Sequence, residues 1–302
     1  MCRETGIRAV AMVLAIGILS ALAACGQASR DEAATDPAAR ESADRMSGEH
    51  AGDSGKPSAG AAIPPQRDVV AETLAYAEVG DELVYGHFVF PSDMVDPLPG
   101  LIVVHEWWGL NDGVRAMADR LAAEGYIVLA VDLFGGKTAE TPPAARELML
   151  AALQKPQLAE ENLRQAYEFI RDTGGAPQIG SLGWCFGGAW AFNTALLFPD
   201  ELDAAVIYYG QVPADEDRLA PLNVPILGLF AENDRGIPVE SVRKFEQALD
   251  ALEKDYEIEI YPGVGHAFAN PSGTSYDAEV AARAWDRSAE FLRRHLSAGA
   301  AE

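Results

Sequence analysis

Between residues 68 and 297, short apolar runs alternate with longer segments in which apolar residues recur every three or four positions. The short runs are typical of strands buried on both faces, and the periodic segments are typical of helices that cover such strands. The runs that predict strands lie at residues 69–79, 83–90, 101–104, 126–131, 179–184, 204–209, 224–230 and 256–261. The segments that predict helices lie at residues 112–124, from 142 onward, and at 158–171, 187–197, 238–252 and 278–296.

This order of elements predicts an α/β fold, with a doubly wound, mostly parallel sheet and helices on both faces. The first two strands are joined at Gly80 and Asp81, which predicts an antiparallel hairpin at the edge of the sheet. An eight-fold barrel would need two more strand–helix units and would not begin with a hairpin. In open sheets of this kind, functional groups gather at the carboxyl ends of the strands.

The residues before this domain divide into a leader and a spacer. Arg3 and Arg8 precede an uncharged run over residues 9–24, which is short for a membrane span and fits a signal peptide over residues 1–24. The Leu-Ala-Ala-Cys box ending at Cys25 resembles the bacterial lipoprotein signal. That resemblance implies a lipidated Cys25 and an exported protein anchored to a membrane, facing the periplasm or the cell exterior. Ordinary secretion and an uncleaved anchor are the alternatives.

Residues 25–67 are rich in Ala, Gly, Ser, Pro and acidic residues, and they contain no Phe, Trp or Tyr. Met46 and Ile63 are the large aliphatic residues of this stretch. Such a composition predicts a disordered tether, because the segment has little apolar surface with which to offset its ordering entropy. The predicted organisation is therefore a signal peptide, a tether over 25–67 and one domain over 68–297.

The net charge of the chain disfavours one class of partner, nucleic acids. Acidic residues number 46 and basic residues 23, which gives a net charge of −23. A nucleic-acid partner is not expected, because binding phosphates needs a basic surface that displaces counterions. Cleavage of the leader and lipidation of Cys25 would leave Cys185 as the one free thiol, so no intramolecular disulfide is expected.

Cys185 follows a predicted strand and precedes a predicted helix in the stretch GSLGWCFGG, residues 180–188. Residues 183–187 match the pattern G-x-S-x-G with sulfur in place of oxygen. In that pattern a sharp strand-to-helix turn presents the nucleophile, and the glycines relieve its crowding. The helix N-terminus favours the thiolate. A small core cysteine among packing glycines is the alternative.

Partners for a nucleophile follow at two later strand ends. Asp234 and His266 come after Cys185 in the order nucleophile, acid, base that α/β-hydrolases use. His105 is the rival base, and Glu232 is the rival acid. Asp234 is preferred because it lies deeper in its loop, just before a predicted helix.

Glu106 stands at a fourth strand end, followed by Trp107 and Trp108. A poorly solvated pocket would raise the pKa of this carboxyl, because burial favours the neutral acid. Such a group near Cys185 would be able to take the thiol proton. The alternative is a structural carboxylate bonded to loop amides.

Five motifs occur in order along the domain: HEWWGLN (105–111), DLFG (132–135), GWCFGG (183–188), DRGIP (234–238) and GHAF (265–268). Together they resemble the motifs of the dienelactone hydrolase family over most of residues 70–296. The resemblance implies an α/β-hydrolase with Cys185, His266 and Asp234 as triad, and with Glu106 as the base that holds the thiol and swings away when substrate binds. It also implies an oxyanion hole formed by two backbone amides, and neither a cofactor nor a metal ion is expected. By position, the two oxyanion amides are those of Trp107 and Phe186.

One position departs from the family pattern. Family members acting on dienelactone bind its carboxylate with arginines, one of them four residues after the catalytic histidine, where this chain has Asn270. Arg146 matches a second arginine loosely. A neutral asparagine cannot form the charged bidentate pair that arginine makes with a carboxylate. The reaction type therefore carries over and the substrate does not, and Trp108 with other aromatic residues predicts a more apolar pocket.

The sequence predicts a hydrolase that cleaves a small-molecule ester or lactone through a Cys-His-Asp triad and a thioester. One alternative is a non-catalytic surface lipoprotein that binds a ligand or partner in a hydrolase-like pocket. A thiol-redox protein is disfavoured, because the chain has no Cys-x-x-Cys pair and no resolving cysteine.

Overall fold

The computed structural model describes residues 37–58 and 64–296. The strands are β1 (Val69–Val79), β2 (Glu82–Pro91), β3 (Gly100–Val104), β4 (Ile127–Val131), β5 (Ile179–Trp184), β6 (Ala204–Tyr208), β7 (Ile226–Ala231) and β8 (Tyr256–Tyr261). The helices are α1 (Pro37–Glu49), α2 (Asp112–Ala123), α3 (Pro142–Leu153), α4 (Pro156–Asp172), α5 (Phe186–Leu197), α6 (Glu216–Leu219), α7 (Val239–Ala251) and α8 (Ala278–Leu296).

The eight strands form one mixed sheet in the order β1-β2-β4-β3-β5-β6-β7-β8. The pairs β1–β2 and β2–β4 are antiparallel, and the remaining neighbours are parallel. The predicted hairpin is present at one edge, and Gly80 and Asp81 both have positive φ, as a tight two-residue turn requires. The prediction of a mostly parallel, doubly wound sheet is confirmed.

The core lies on both sides of the central strands. Every residue of β3, β4, β5, β6 and β7 is buried, which explains why these strands read as continuous apolar runs rather than alternating ones. Amphipathic helices cover the sheet; for instance, α2 packs on β2 and β4, and α8 packs on β5, β6 and β7. Parallel strands place their carboxyl ends at one edge, so the loops after β3, β5, β7 and β8 meet there.

Residues 37–58, here called the N-terminal segment, do not form the disordered tether that composition predicts. Helix α1 and the loop after it pack onto the domain of residues 64–296 and bury Ala43, Met46 and His50. Composition does not predict this packing, because residues 37–58 form no hydrophobic core of their own. It adds a few buried side chains to a surface that is already folded, so it needs much less apolar area than an independent domain.

The predicted signal peptide, residues 1–24, and the predicted lipidation site Cys25 lie outside the residues that the structure describes. Within residues 37–58 and 64–296, no helix combines the length and apolar character needed to cross a membrane.

Candidate active site

Cys185 occupies the sharp turn between β5 and α5. Its φ is 56° and its ψ is −118°, a backbone conformation that non-glycine residues rarely adopt. The Cys185 amide donates a hydrogen bond to the carbonyl of Tyr208 on the neighbouring strand, at 3.0 Å, which helps to hold the strained turn. This is the geometry that the G-x-C-x-G pattern predicts.

Glycines around this turn allow backbones to approach closely. A Cβ placed on Gly183 would lie 2.2 Å from the carbonyl oxygen of Gly187, and one on Gly187 would lie 2.2 Å from that of Val104. Helix α5 therefore starts almost in contact with the end of β3. No larger residue fits these two positions without displacing the backbone.

His266 and Asp234 lie together at the same edge of the sheet. The Nδ1 atom of His266 is 2.6 Å from the Oδ2 atom of Asp234, and both residues are buried. The other carboxylate oxygen of Asp234 accepts a hydrogen bond from the amide of Ile237 at 2.7 Å. Within the described residues His266 Nε2 has no hydrogen-bond partner, and a ring nitrogen of His266 lies within 4.8 Å of the Cys185 Sγ atom. The ring is therefore oriented with a vacant nitrogen near the sulfur.

The structure also separates the rival residues. His105 donates from Nδ1 to the carbonyl of Glu106 at 2.6 Å, and its Nε2 accepts from the amide of Leu133 at 3.1 Å. Burial lowers the pKa of His105, so this ring is neutral and both of its nitrogens are occupied. Glu232 is exposed and accepts from the amide of Gly263, whereas Asp234 is buried against His266.

Glu106 is buried beside these groups. Its Oε2 atom accepts a hydrogen bond from the Asn270 side chain at 2.6 Å, and its Oε1 atom has no partner within the described residues. Burial, with a smaller contribution from the negative charge of Cys185, raises the pKa of Glu106 to about 7. Asn270 thus holds the carboxyl group of Glu106, a contact that the sequence comparison with the family did not suggest.

The two predicted oxyanion donors stand on either side of the turn at Cys185. Phe186 is the first residue of α5, where amide groups have no acceptor within the helix. Trp107 follows Glu106 in a turn closed by a hydrogen bond from the Gly109 amide to the Glu106 carbonyl, at 3.1 Å. Both positions suit the predicted role, which stays a prediction.

The N-terminal segment supplies two residues that sequence reasoning missed. His50 is fully buried, and its Nε2 atom lies 3.9 Å from the Cys185 Sγ atom. Its Nδ1 atom is 2.8 Å from Asp53 Oδ2. The Sδ atom of Met46 lies 3.5 Å from the same sulfur. The available signal was a histidine and an aspartate three residues apart, near the one large aliphatic residue of this stretch.

The charges around Cys185 favour its thiolate. Burial raises the pKa of the thiol, but the positive charges of His266 and His50 outweigh burial and lower that pKa to about 6. Burial lowers the pKa of both histidines, yet their carboxylate partners and the thiolate outweigh it, so both pKa values are raised. These directions favour a thiolate stabilised by positive charge on the neighbouring imidazoles.

The same three residues form a donor set. The ligand atoms of His50, Cys185 and His266 lie within 4.8 Å of one another. A thiolate with two imidazoles, each held by a carboxylate, is a combination that zinc and copper ions accept. Within the described residues this is the cluster that could hold a metal ion.

The predicted substrate-binding residues differ in where they lie. Arg146 forms an ion pair with Asp44 of α1, in which its Nη2 atom lies 2.6 Å from Oδ1. Trp108 and Asn270 line a cavity of about 40 Å³ beside Glu106. That volume holds a few water molecules rather than an ester, and the Cys185 residue is 1% exposed. A larger cavity of about 530 Å³ lies between β2, α3 and α4 and contains none of these residues.

Comparison with known proteins identifies the family. Residues 85–296 match the model described as the dienelactone hydrolase family. The chain belongs to the dienelactone hydrolase family. A protein of Saccharolobus solfataricus named as a carboxymethylenebutenolidase is 33% identical over 236 residues, covering 66% of this chain and 90% of the relative. An Escherichia coli (strain K12) protein of the same name is 31% identical over 245 residues, covering 76% and 89%.

Solved structures agree with this membership. A protein of Klebsiella pneumoniae described as a dienelactone hydrolase superposes with a TM-score of 0.68 at 27% identity, covering 76% of this chain and all (100%) of the other. A dienelactone hydrolase-like promiscuous phosphotriesterase from metagenomic libraries has a TM-score of 0.69 at 20% identity, covering 76% and 99%. The α/β-hydrolase fold is thus confirmed, and so is the expectation of a hydrolase.

Proposed function

We propose that this dienelactone hydrolase family member cleaves a small ester or lactone through a thioester on Cys185. The observation that carries the proposal is the buried arrangement of Cys185, His266 and Asp234, with a vacant imidazole nitrogen near a sulfur on a strained turn. Geometry and charge support a nucleophile here, because the pKa of Cys185 is lowered to about 6.

The reaction follows from this arrangement in two halves. The Cys185 thiolate attacks the carbonyl carbon, while the amides of Trp107 and Phe186 stabilise the oxyanion. The bond to the leaving oxygen breaks, that oxygen takes up a proton from an imidazolium beside Cys185, and a thioester remains. Water then loses a proton to Nε2 of His266 and attacks the thioester, which releases the acid and restores the thiolate. Asp234 fixes the tautomer and orientation of the ring.

The residues beside Glu106 favour a substrate without a carboxylate. The small cavity there would have to widen to admit an ester. It is lined by Trp108, Trp184 and Tyr209, with no lysine or arginine among its lining residues in the described part of the chain. The two relatives named as carboxymethylenebutenolidases support lactones as a class to test. Because Asn270 is bonded to Glu106, nothing at that position offers the charged pair that a carboxylate would need.

The decisive experiment compares wild type with Cys185→Ala and Cys185→Ser on matched esters and lactones with and without a carboxylate. We expect turnover of the neutral compounds by wild type and its loss in both variants, whose fold is checked by circular dichroism. Mass spectrometry of His266→Gln mixed with a nitrophenyl ester is expected to find the acyl group on Cys185. Normal turnover by Cys185→Ala would contradict the mechanism.

We also propose that the enzyme is an exported lipoprotein attached to a membrane through Cys25, facing the periplasm or the cell exterior. Support comes from the charged start, the uncharged run and the Leu-Ala-Ala-Cys box of the first 25 residues. Expression in a bacterial host with a labelled fatty acid tests this proposal. Incorporation into wild type and none into Cys25→Ala is expected, whereas equal labelling of both would rule out this site.

A further inference from the structure

Cys185 contacts two imidazoles, although the proposed mechanism uses one. His266 with Asp234 comes from the loops after β8 and β7, and His50 with Asp53 comes from the N-terminal segment. The two rings meet edge to face, with their centroids 5.2 Å apart. The second pair lies before residue 85, where the family match begins, so the family resemblance leaves it without a role.

His50 is held as firmly as a catalytic histidine needs to be. Its Nδ1 atom lies 2.8 Å from Asp53, whose Oδ1 atom accepts from both the amide and the hydroxyl of Thr274 at 2.7 Å. The ring stacks on Trp107 with the centroids 4.7 Å apart and the planes 27° from parallel. With Nδ1 bonded and the ring fixed, Nε2 is directed at the sulfur.

The backbone of the loop that carries His50 and Asp53 is also held by close contacts. Gly55 lies where a Cβ would come within 1.9 Å of the Ala139 carbonyl oxygen and 2.8 Å of the Trp108 ring. The Asn111 side chain donates to the Gly55 carbonyl at 3.0 Å. Further along, the amide of Ser58 donates to the hydroxyl of Ser272 at 2.8 Å. These contacts fix the loop that carries His50 and Asp53.

Two proton transfers in the proposed reaction call for groups in opposite states. Formation of the thioester needs an acid for the leaving oxygen, and its hydrolysis needs a base for water. A single imidazole can serve both steps, giving its proton to the leaving oxygen and then taking one from water, whereas two imidazoles divide the two transfers between them. The groups that face His50 are Asp53, Cys185, His266 and Glu106.

We propose that His50 is a further catalytic residue, whose Nε2 atom lies 3.9 Å from the Cys185 Sγ atom and donates its proton to the leaving oxygen while His266 deprotonates water. This inference rests on the proposed function. In acylation the S–C bond forms, the C–O bond breaks with its electron pair on oxygen, and that oxygen takes the proton of His50. In deacylation the water O–C bond forms, His266 takes the water proton and the C–S bond breaks. Passage of this proton from His266 to His50 restores the starting state.

Met46 also lies beside the nucleophile. Its Sδ atom is 3.5 Å from Sγ, so the thioether fills part of the space next to the sulfur. An unbranched thioether side chain with three rotatable bonds is able to leave without displacing the loop that holds His50.

The first test is the pH dependence of Cys185 alkylation by iodoacetamide, which needs no hydrolysis and so is independent of the proposed function. Wild type is expected to show a midpoint near the pKa of about 6. We expect His50→Gln to move this midpoint upward by roughly one pH unit or more, and Asp53→Asn to move it less, since an imidazolium partner is lost or weakened. A chelator in all samples removes any cation from the three ligand atoms.

The matched control is Glu49→Gln, in the same segment, which loses an ion pair with Arg235 and does not contact the thiol. Its midpoint is expected to equal that of wild type. If His50 were only a cover over the site, His50→Gln would react faster at every pH with an unmoved midpoint. That result would overturn the proposal.

The second test varies the leaving group at a constant acyl group. For His50→Gln we expect kcat/KM to fall on the order of 10²-fold with an ethyl ester and much less with a nitrophenyl ester, whose leaving oxygen needs no proton. Equal losses on the two esters would overturn the acid role. Failure of the proposed function looks different, because Cys185→Ala would then hydrolyse both esters.

Discussion

The two imidazole–carboxylate pairs at Cys185 have nearly the same local geometry and different structural support. The Nδ1 to carboxylate distances are 2.6 Å for His266 and 2.8 Å for His50, and both rings are buried. Asp234 is fixed by the amide of Ile237 in its own loop, on a sheet buried on both faces. Asp53 is fixed by Thr274, more than two hundred residues away in the chain.

This contrast shows that two similar imidazole–carboxylate pairs can depend on the stability of different parts of the molecule. The pair at His266 is lost only when the sheet unfolds. The pair at His50 is lost when residues 37–58 detach, a local opening that leaves the sheet intact. The ion pairs of α1 with Arg146 and Arg235 are partly or largely exposed, so they hold the segment weakly.

Replacing each imidazole in turn should separate the roles of the two pairs most clearly. His266→Gln is expected to lower kcat/KM by roughly 10³-fold or more, because the base for water is lost. His50→Gln on the same nitrophenyl ester is expected to lose far less. Steady-state kinetics at pH 7.5 with active-site titration measure both, and equal losses would mean that the two pairs are equivalent.

A second pair of variants uses Gly187 and Gly55, at each of which an added Cβ would meet a carbonyl oxygen. Gly187→Ala would place a Cβ 2.2 Å from the Val104 oxygen in the core, and we expect a loss of about 3 kcal/mol in the free energy of unfolding. Gly55→Ala would place one 1.9 Å from the Ala139 oxygen. There we expect the segment to detach while the domain stays folded.

Thermal unfolding and limited proteolysis separate these outcomes. Gly187→Ala should lower the midpoint of the main transition. Gly55→Ala should leave that transition nearly unchanged and expose residues 37–58 to protease. A large loss of global stability in Gly55→Ala would show that the segment is an integral part of the core.

A third, smaller effect concerns the carboxyl group between the two pairs. As pH rises through the Glu106 pKa of about 7, the carboxyl group becomes negatively charged and disfavours the negative charge of the nearby thiolate. The titration of Cys185 in wild type therefore extends over a wider range, toward higher pH. Glu106→Gln should therefore give a narrower alkylation profile with a lower midpoint. Glu232→Gln, an exposed carboxylate at the same edge of the sheet, is the control. An unchanged profile in Glu106→Gln would count against the predicted base role as well.

The smallest expected effect is that of the ion pair between Arg146 and Asp44. Arg146→Ala should weaken the docking of residues 37–58 onto the domain by roughly 0–1 kcal/mol, since exposed ion pairs contribute little. Its kcat/KM on a neutral ester should match that of wild type within about two-fold. A selective rise in KM for esters that carry a carboxylate would instead restore the substrate-binding role predicted for Arg146.

Much of this molecule follows from local pattern. Residues 179–184 predict β5 at its observed bounds, because an uncharged, mostly apolar run fits a strand buried on both faces. The one polar side chain, Ser181, donates its hydroxyl to the Ala191 carbonyl at 2.9 Å. The glycines at 183 and 187 predict the turn at Cys185, because no other residue allows the observed approach. Strand order then brings Asp234 and His266 to one edge, as parallel connections require.

Local patterns along the chain are thus sufficient for the family, the sheet and the placement of Cys185, His266 and Asp234 at strand ends. Other features depend on long-range packing. Both ring nitrogens of His105 are hydrogen-bonded, Asn270 donates to Glu106, and His50 and Met46 lie beside the Cys185 sulfur. These contacts join residues far apart in the chain, and polar side chains carry no periodic signal. A short polar segment also has no core of its own, so its order depends on a surface that local composition does not describe.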